Sequence, residues 1–437
     1  MNKLALEVSN SIIKITGIFE SENINRLELD FITKGYKSEI INDSAQQFHK
    51  NYWYPEFRDI FFKKENNETA SRILIKEINQ SVTFLKRDFN SNEIKSKTTV
   101  SVDQAELFLF PNGLHFFSLS FSTLQLGLQE ISDITFFARN FSSEIEGYKE
   151  GLWVKWVENE ILNGIKIYSK WDEKPIPVDE YSGSKFKLFT VIDLEQNEQI
   201  DQKVIDELLY DLGCVAPIGS ASGKFHYSPS KSYYDLLLED KISAFNNFAM
   251  LPLFDTFTTV GYGILSSESQ FSTYEQTYFR IYLFNLFIKY NLYRYNNEMR
   301  LDTVKTRDKF EKFLNEYNIN PVAYNFLPNL IFEKHRKTMH IEEELKKFEE
   351  RINRISQSIQ EDQQNRMSTL LGIVGLVSSI GSVEPAVELM ESVRVNISWG
   401  MGLFYSVVFI FTLIIAFPIL SYLFPEKKKQ LIRKWRK

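Results

Sequence analysis

Five small side chains recur near the end of this 437-residue chain: Ser368, Gly372, Gly375, Ser379 and Ser382 alternate by four and three. On a helix that spacing gathers hydroxyls and bare backbone onto one face. Leu370, Leu371, Ile373, Val374, Leu376, Val377 and Ile380 cover the rest. Such a face has two uses: it lets membrane helices approach closely, or it walls a narrow aqueous pore whose apolar arc meets protein and lipid. In the pore reading Met367 and Leu371 form dewetting rings that act as a gate. Gly381 and Glu384 then stand at the outer mouth, where a ring of carboxylates favours cations. Glu384 next to Pro385 reads equally as a solvated acid ending a helix.

A second stretch invites a chemical reading. Gly219-Ser220-Ala221-Ser222-Gly223-Lys224 resembles a phosphate-cradling loop, with Lys224 to meet a phosphate and Tyr227, Tyr233 or Tyr234 to stack on a base. A nucleotide P-loop needs four residues between its glycines and Ser or Thr after the lysine. Here Ser220-Ala221-Ser222 are three and Phe225 follows, so the alternatives are a messenger-binding loop and a plain connecting loop.

Catalytic chemistry finds no foothold. The chain carries no nucleophile elbow, zinc motif, dinucleotide fingerprint or kinase set, and Cys214 is its one cysteine. His49, His115, His226, His335 and His340 lack ligand spacing, so no catalytic residue, metal or cofactor is expected. A lone cysteine also excludes a disulfide framework and fits a reducing cytosol. The formal net charge of −6 argues against a general nucleic-acid binder.

The elements that must position the small-residue face lie on both sides of it. Ile341, Leu345, Phe348, Ile352, Ile355 and Ile359 form a heptad seam among charged neighbours such as Glu342, Lys346, Glu350 and Arg354. A narrow seam needs a partner, either other elements of the chain or the same helix of other subunits. From Thr369 to Glu384 the chain is apolar for about 15 residues, short of the roughly 20 that cross a bilayer alone. Met401 to Phe424 is long enough, with Trp399, Tyr422 and Trp435 at or near interfacial depth. Lys427, Lys428, Lys429, Arg433, Lys434, Arg436 and Lys437 follow, whereas Glu384, Glu388 and Glu391 dominate the loop between the spans. By the positive-inside rule the tail is cytoplasmic and the loop outside. Met1-Asn2-Lys3-Leu4 opens into mixed sequence rather than a signal peptide, so the body is expected in the cytoplasm with two crossings after it.

This layout resembles the CorA superfamily of ion channels. The likeness covers about the last hundred residues and is architectural: the family's Gly-Met-Asn falls on Gly381-Ser382-Val383, where only the glycine matches. Trp399-Gly400 is similar to the opening of the family's second span, and Lys427-Lys428-Lys429 to its closing lysines. With no asparagine ring, the chain looks more like the signature-lacking CorA-like effectors of type III CRISPR systems. That resemblance implies an antiviral homo-oligomeric channel in the cell membrane, a pentamer with itself as partner, passing ions. It also implies gating by a small nucleotide-type ligand of the S-adenosylmethionine-AMP kind. The alternatives are a magnesium or related divalent-cation transporter and a membrane-anchored scaffold without a pore. The small-residue stripe lies one position round from the continued heptad register, so a modest rotation would exchange Leu371 for Gly372 at the axis.

For the body, an α+β fold of sheet plus helices is expected, with lobes at 1–149 and 150–270 and a helical segment at 271–320. A stalk helix at 321–367 and a first span at 368–384 follow, then an outer loop at 385–400, a second span at 401–424 and the tail at 425–437. Short alternating runs over residues 3–33 predict strands. Leu107 to Phe121 around Pro111-Asn112-Gly113 predicts a hairpin, then a helix over 124–141. Helices are expected over 150–171, 202–212, 274–299 and 302–317, and strands over 71–78, 186–194 and within 241–261. Gly261-Tyr262-Gly263 is read as a lobe boundary.

Overall fold

A computed structural model describes residues 6–39, 43–62, 71–87, 93–122, 126–148, 151–167, 185–195, 200–225, 228–299 and 303–381. The chain divides into two compact units, Met1–Asn353 and Arg354–Lys437.

The first unit opens with β1 (Val8–Glu20), α1 (Ile24–Thr33), β2 (Lys37–Ser38), α2 (Asp43–Tyr52) and α3 (Pro55–Phe61). Next come β3 (Arg72–Arg87), β4 (Ile94–Leu109), β5 (Leu114–Phe121), α4 (Leu128–Arg139), β6 (Glu144–Ile145) and α5 (Trp153–Trp156), which runs on as a π-helical turn to Ile161. β7 (Lys187–Leu194), α6 (Gln202–Gly213), α7 (Lys231–Leu238), β8 (Phe248–Pro252) and β9 (Thr256–Tyr262) complete the sheet. After α8 (Glu268–Ser272) and a π-helical stretch Thr273–Tyr278 come α9 (Phe279–Glu298), α10 (Thr303–Tyr317), α11 (Phe326–Thr338) and α12 (Ile341–Gly381).

Among the described residues the strands form one sheet in the order β2-β3-β4-β5-β1-β7-β9-β8, with β6 also on β3. All its pairings are antiparallel except β7 with β9. β1 sits between β5 and β7, so residues on either side of 149/150 share one sheet and one core. β9 likewise runs through Gly261 and Tyr262, the expected boundary, as a paired strand. A Cβ on Gly261 would stand 2.6 Å from the Asn247 carbonyl oxygen and from Phe248 Cβ, which is why the close approach of β8 requires glycine.

The hairpin forms as its turn residues dictate. Gly113 takes φ +83° and the Asn112 side chain accepts the Leu114 amide at 3.2 Å. The strand expected at 71–78 continues to Arg87 through a bulge at Asn79, whose φ is 47°. Residues 24–33 are helical, not extended. Leu27 and Phe31, four apart, are the buried pair, and the Asn23 side chain caps the Arg26 amide at 3.0 Å. The helix expected from 150 to 171 stops at Ile161, where Asn163 (φ 53°) and Gly164 (φ 85°) turn the chain.

α9 is covered all round, so that its polar residues Arg280, Asn285, Lys289 and Asn291 are buried along with its aromatic ones. Phe279 meets Phe108 and Phe189 of the sheet, Phe284 meets Phe332 of α11, and Phe287 meets Phe313 of α10. It is the central rod between sheet and outer helices. The helix expected over 321–367 is broken: α11 ends at Thr338, His340 takes φ 53°, and α12 starts afresh at Ile341. His340 occupies the left-handed position that closes a helix.

Candidate functional site

The first turns of α12 are fixed to the body by a seam and a clamp. Ile341, Leu345, Phe348 and Ile352 are buried, and Phe348 packs on Phe310 of α10 with ring centroids 4.1 Å apart. The opening half of the heptad seam is therefore met by the chain's own helices, one of the two partners the spacing allows.

The clamp is Lys289 of α9, a buried lysine. Its Nζ donates to the Met339 carbonyl at 2.5 Å and to Glu344 Oε1 at 2.6 Å, joining the end of α11 to the first turns of α12. It also lies over the Tyr293 ring at 4.7 Å. Burial draws this ammonium below the usual lysine value, with Glu344 pulling the other way. Beside it Arg336, also buried, donates to Glu342 at 2.6 Å and to Asn318 at 3.3 Å. Two buried cations thus face the acidic first turn Glu342, Glu343 and Glu344, the favoured sign for a helix N-terminus.

In the second unit α12 carries the expected gate and wall residues. Met367 and Leu371 are 61% and 66% exposed, and Leu370 and Val374 are exposed beside them. Ser368 is exposed, and a Cβ placed on Gly372 or Gly375 meets nothing within 4 Å. Ser379 and Gly381 lie on the helix as its last turns. Ser382 and Glu384, the outer loop, the second span and the basic tail lie outside the described residues. Among the described residues no helix is long and apolar enough to cross a membrane.

The Gly219–Lys224 loop folds on an anion of its own. Asp211, fully buried at the end of α6, accepts the Gly219 amide and the Ala221 amide, both at 2.7 Å. Gly219 takes φ +101° to aim them. The amides a phosphate would use are directed at this carboxylate. Lys224 and Tyr233 are exposed, and Tyr227 lies outside the described residues.

Sequence reading missed the buried charges of the sheet. Lys14 bonds Glu106 at 2.7 Å and stands 3.4 Å from Glu275. Burial pulls this ammonium down, but the two carboxylates outweigh it and hold it above the usual lysine value. Lys187 and Arg139 both pair with Asp255, the arginine at 2.7 Å. The signal was present: Lys14 shares its strand face with Ile12 and Ile18, two residues before and four after it, which places a lysine on a buried face. Burial also pushes the Cys214 thiol up to about 11, leaving it little thiolate at neutral pH. Among the described residues no group of His, Cys, Asp and Glu has the arrangement to hold a metal ion.

Compared with protein-family models, curated proteins and solved structures, the chain gives no significant match.

Proposed function

We propose that this chain is a CorA-like, homo-oligomeric membrane channel whose α+β body grips the root of α12 and whose apolar C-terminal segments enter the cell membrane. The observation that carries the reading is the change of surface along α12. Its residues up to Ile352 bury a seam on the body, whereas Met367, Leu370, Leu371 and Val374 are exposed. Large apolar side chains repeated on an open helical face call for a cover of lipid or protein. The apolar run Met401 to Phe424 and the seven cations after Pro425 give that cover its chemistry.

Within this reading Ser368, Gly372, Gly375, Ser379 and Ser382 wall the passage, and Met367 and Leu371 gate it. The body receives a small nucleotide-type signal, as in an antiviral type III CRISPR effector. The Gly219–Lys224 loop is not the cradle for that signal, because Asp211 already takes its amides.

Dye or ion efflux from liposomes loaded with the purified chain tests the channel, read beside the subunit count in detergent. Gly375→Leu should abolish flux and leave the oligomer intact. Loss of assembly instead assigns the small face to packing and favours the scaffold. Rescue of a magnesium-transport mutant by the wild-type chain would replace the effector reading with divalent transport.

A further inference from the structure

We propose that a patch of open aromatic side chains at the start of α11 is a contact surface between copies of this chain. The proposal rests on the homo-oligomeric part of the reading above and names where the bodies of neighbouring copies touch.

Two short segments laid side by side build the patch. The Tyr54 amide donates to the Val322 carbonyl and the Tyr324 amide to the Tyr52 carbonyl, both at 3.0 Å, with Trp53 bridged to Ala323 between them. Side chains alternate across such a pair. Trp53 and Ala323 are buried, so Tyr52, Tyr54 and Tyr324 turn outward. The Tyr54 and Tyr324 ring centroids are 4.3 Å apart, and Phe48 stacks on Tyr52 at 5.1 Å. Phe326 stands two residues beyond Tyr324 and meets Phe245 at 6.3 Å. Phe48, Phe245, Tyr324 and Phe326 are 50–63% exposed, so their faces are open rather than spent on one another.

The surroundings are those of an interface core. Residues 51–55, 242–253 and 317–332, which carry five of the six rings, contain no charged side chain. Aromatic enrichment with depletion of charge marks the centre of protein contacts. Lys50 and Glu56 bracket the first segment and are exposed, as at a polar rim. With no charge at its centre, the patch sets no like-charge penalty against another copy of the same chain.

Position argues against lipid as the cover. α11 and then α12 run alongside α9 in its own direction: Phe332 meets Phe284, Met339 and Glu344 meet Lys289, and Arg351 meets Asn296. Phe326 therefore opens α11 at one end of α9, and α12 departs at the other. The 20 residues of α9 put about 30 Å between those ends.

Area then selects the partner. Four aromatic side chains, each about half open, offer about 400 Å², within the range of the largest patch on a monomer and often functional. A stable complex of free partners buries about 800 Å² on each side. A patch of half that size holds a freely diffusing protein weakly. Copies already gathered by a shared membrane assembly meet at high effective concentration, and for them it suffices. The opening seam of α12 is consumed within its own chain, so the bodies need a surface of this kind elsewhere.

The test is photocrosslinking of the purified full-length chain in detergent, with no ion flux required. Phe326→p-benzoylphenylalanine should give a two-chain adduct on irradiation, with a yield that survives dilution. Adding Phe245→Glu, at an exposed position on the patch, should lower the yield at least several-fold, and Tyr324→Ser in place of Phe245→Glu should lower it in the same sense. Only unlinked chains, adducts with detergent alone, or an unchanged yield in both variants overturns the proposal. If the subunit count is then still above one, the contact falls and the channel reading survives it.

Discussion

Replacing Lys289 by methionine isolates the clamp, because the two side chains are similar in length and only the ammonium is removed. Lys289 makes two hydrogen bonds, one to a backbone carbonyl and one to a carboxylate. The losses differ. The Met339 carbonyl loses a charged donor, whereas Glu344, 29% exposed, can turn to water. A lost hydrogen bond to a charged group costs about 1.5–3 kcal/mol, and relief of the ammonium's desolvation returns part of the sum, so about 2–3 kcal/mol should go. The loss is local: residues 341–352 should exchange amide hydrogens about 30- to 150-fold faster, while β1 and β7 stay protected. Glu344→Gln alone should cost about 1 kcal/mol, and adding it to Lys289→Met should cost almost nothing more, since the partner is gone. Full additivity of the two substitutions, or unchanged exchange over 341–352 in Lys289→Met, refutes the clamp.

Three further outcomes are expected. Burial holds His335 at a pKa of about 3 and His49 and His115 at about 4. Unfolded histidines take up protons from about pH 6.5 downward while these do not, so stability is full above 6.5 and falls between there and pH 4. The slope approaches about 1.4 kcal/mol per pH unit for each residue. Urea midpoints across that range should show it, and a flat profile would contradict buried neutral imidazoles. His340→Gly should be neutral or stabilising by up to about 1 kcal/mol at φ 53°, and His340→Val destabilising by about 1–2 kcal/mol, both read by thermal unfolding. Asp211→Ala should cost about 2–4 kcal/mol by removing the acceptor of two amides; limited proteolysis within 219–224 should become faster.

What was legible beforehand was local chemistry. The Pro111-Asn112-Gly113 turn, the β7 strand and helices α6, α9 and α10 follow from turn residues and periodicity, which need no knowledge of partners. Residues 24–33 were misread because Leu27, Leu29 and Phe31 satisfy a period of two as well as Leu27 and Phe31 satisfy a period near four. Asn23 decides between them. The lobe boundary failed for another reason: the pairing of β1 with β7 joins residues about 180 apart, and nothing in either strand names its neighbour. The Gly219–Lys224 loop was ambiguous for a similar cause, since the anion that satisfies it is a side chain of the preceding helix. Lys289 lies in the aromatic run Tyr282 to Tyr295, where a single lysine looks like a surface group until Glu344 is placed against it.

The buried seam constrains how copies of this chain can assemble. A heptad pattern from Ile341 to Ile359 suggests a coiled coil along its full length, yet Ile341, Leu345, Phe348 and Ile352 are consumed within one chain. Freeing those four would forfeit about 1.5–3 kcal/mol each, a sum comparable with the whole stability of many domains. An oligomer that keeps the body folded must therefore draw its helix-to-helix contacts from Ile355 onward, or from other surfaces. It follows that Leu345→Asp should unfold or loosen the monomer itself, while Leu371→Asp should leave monomer stability unchanged and act only on assembly or membrane insertion. Equal loss of monomer stability in both would mean the two stretches of α12 are used alike, and the division of labour proposed for this helix would fall.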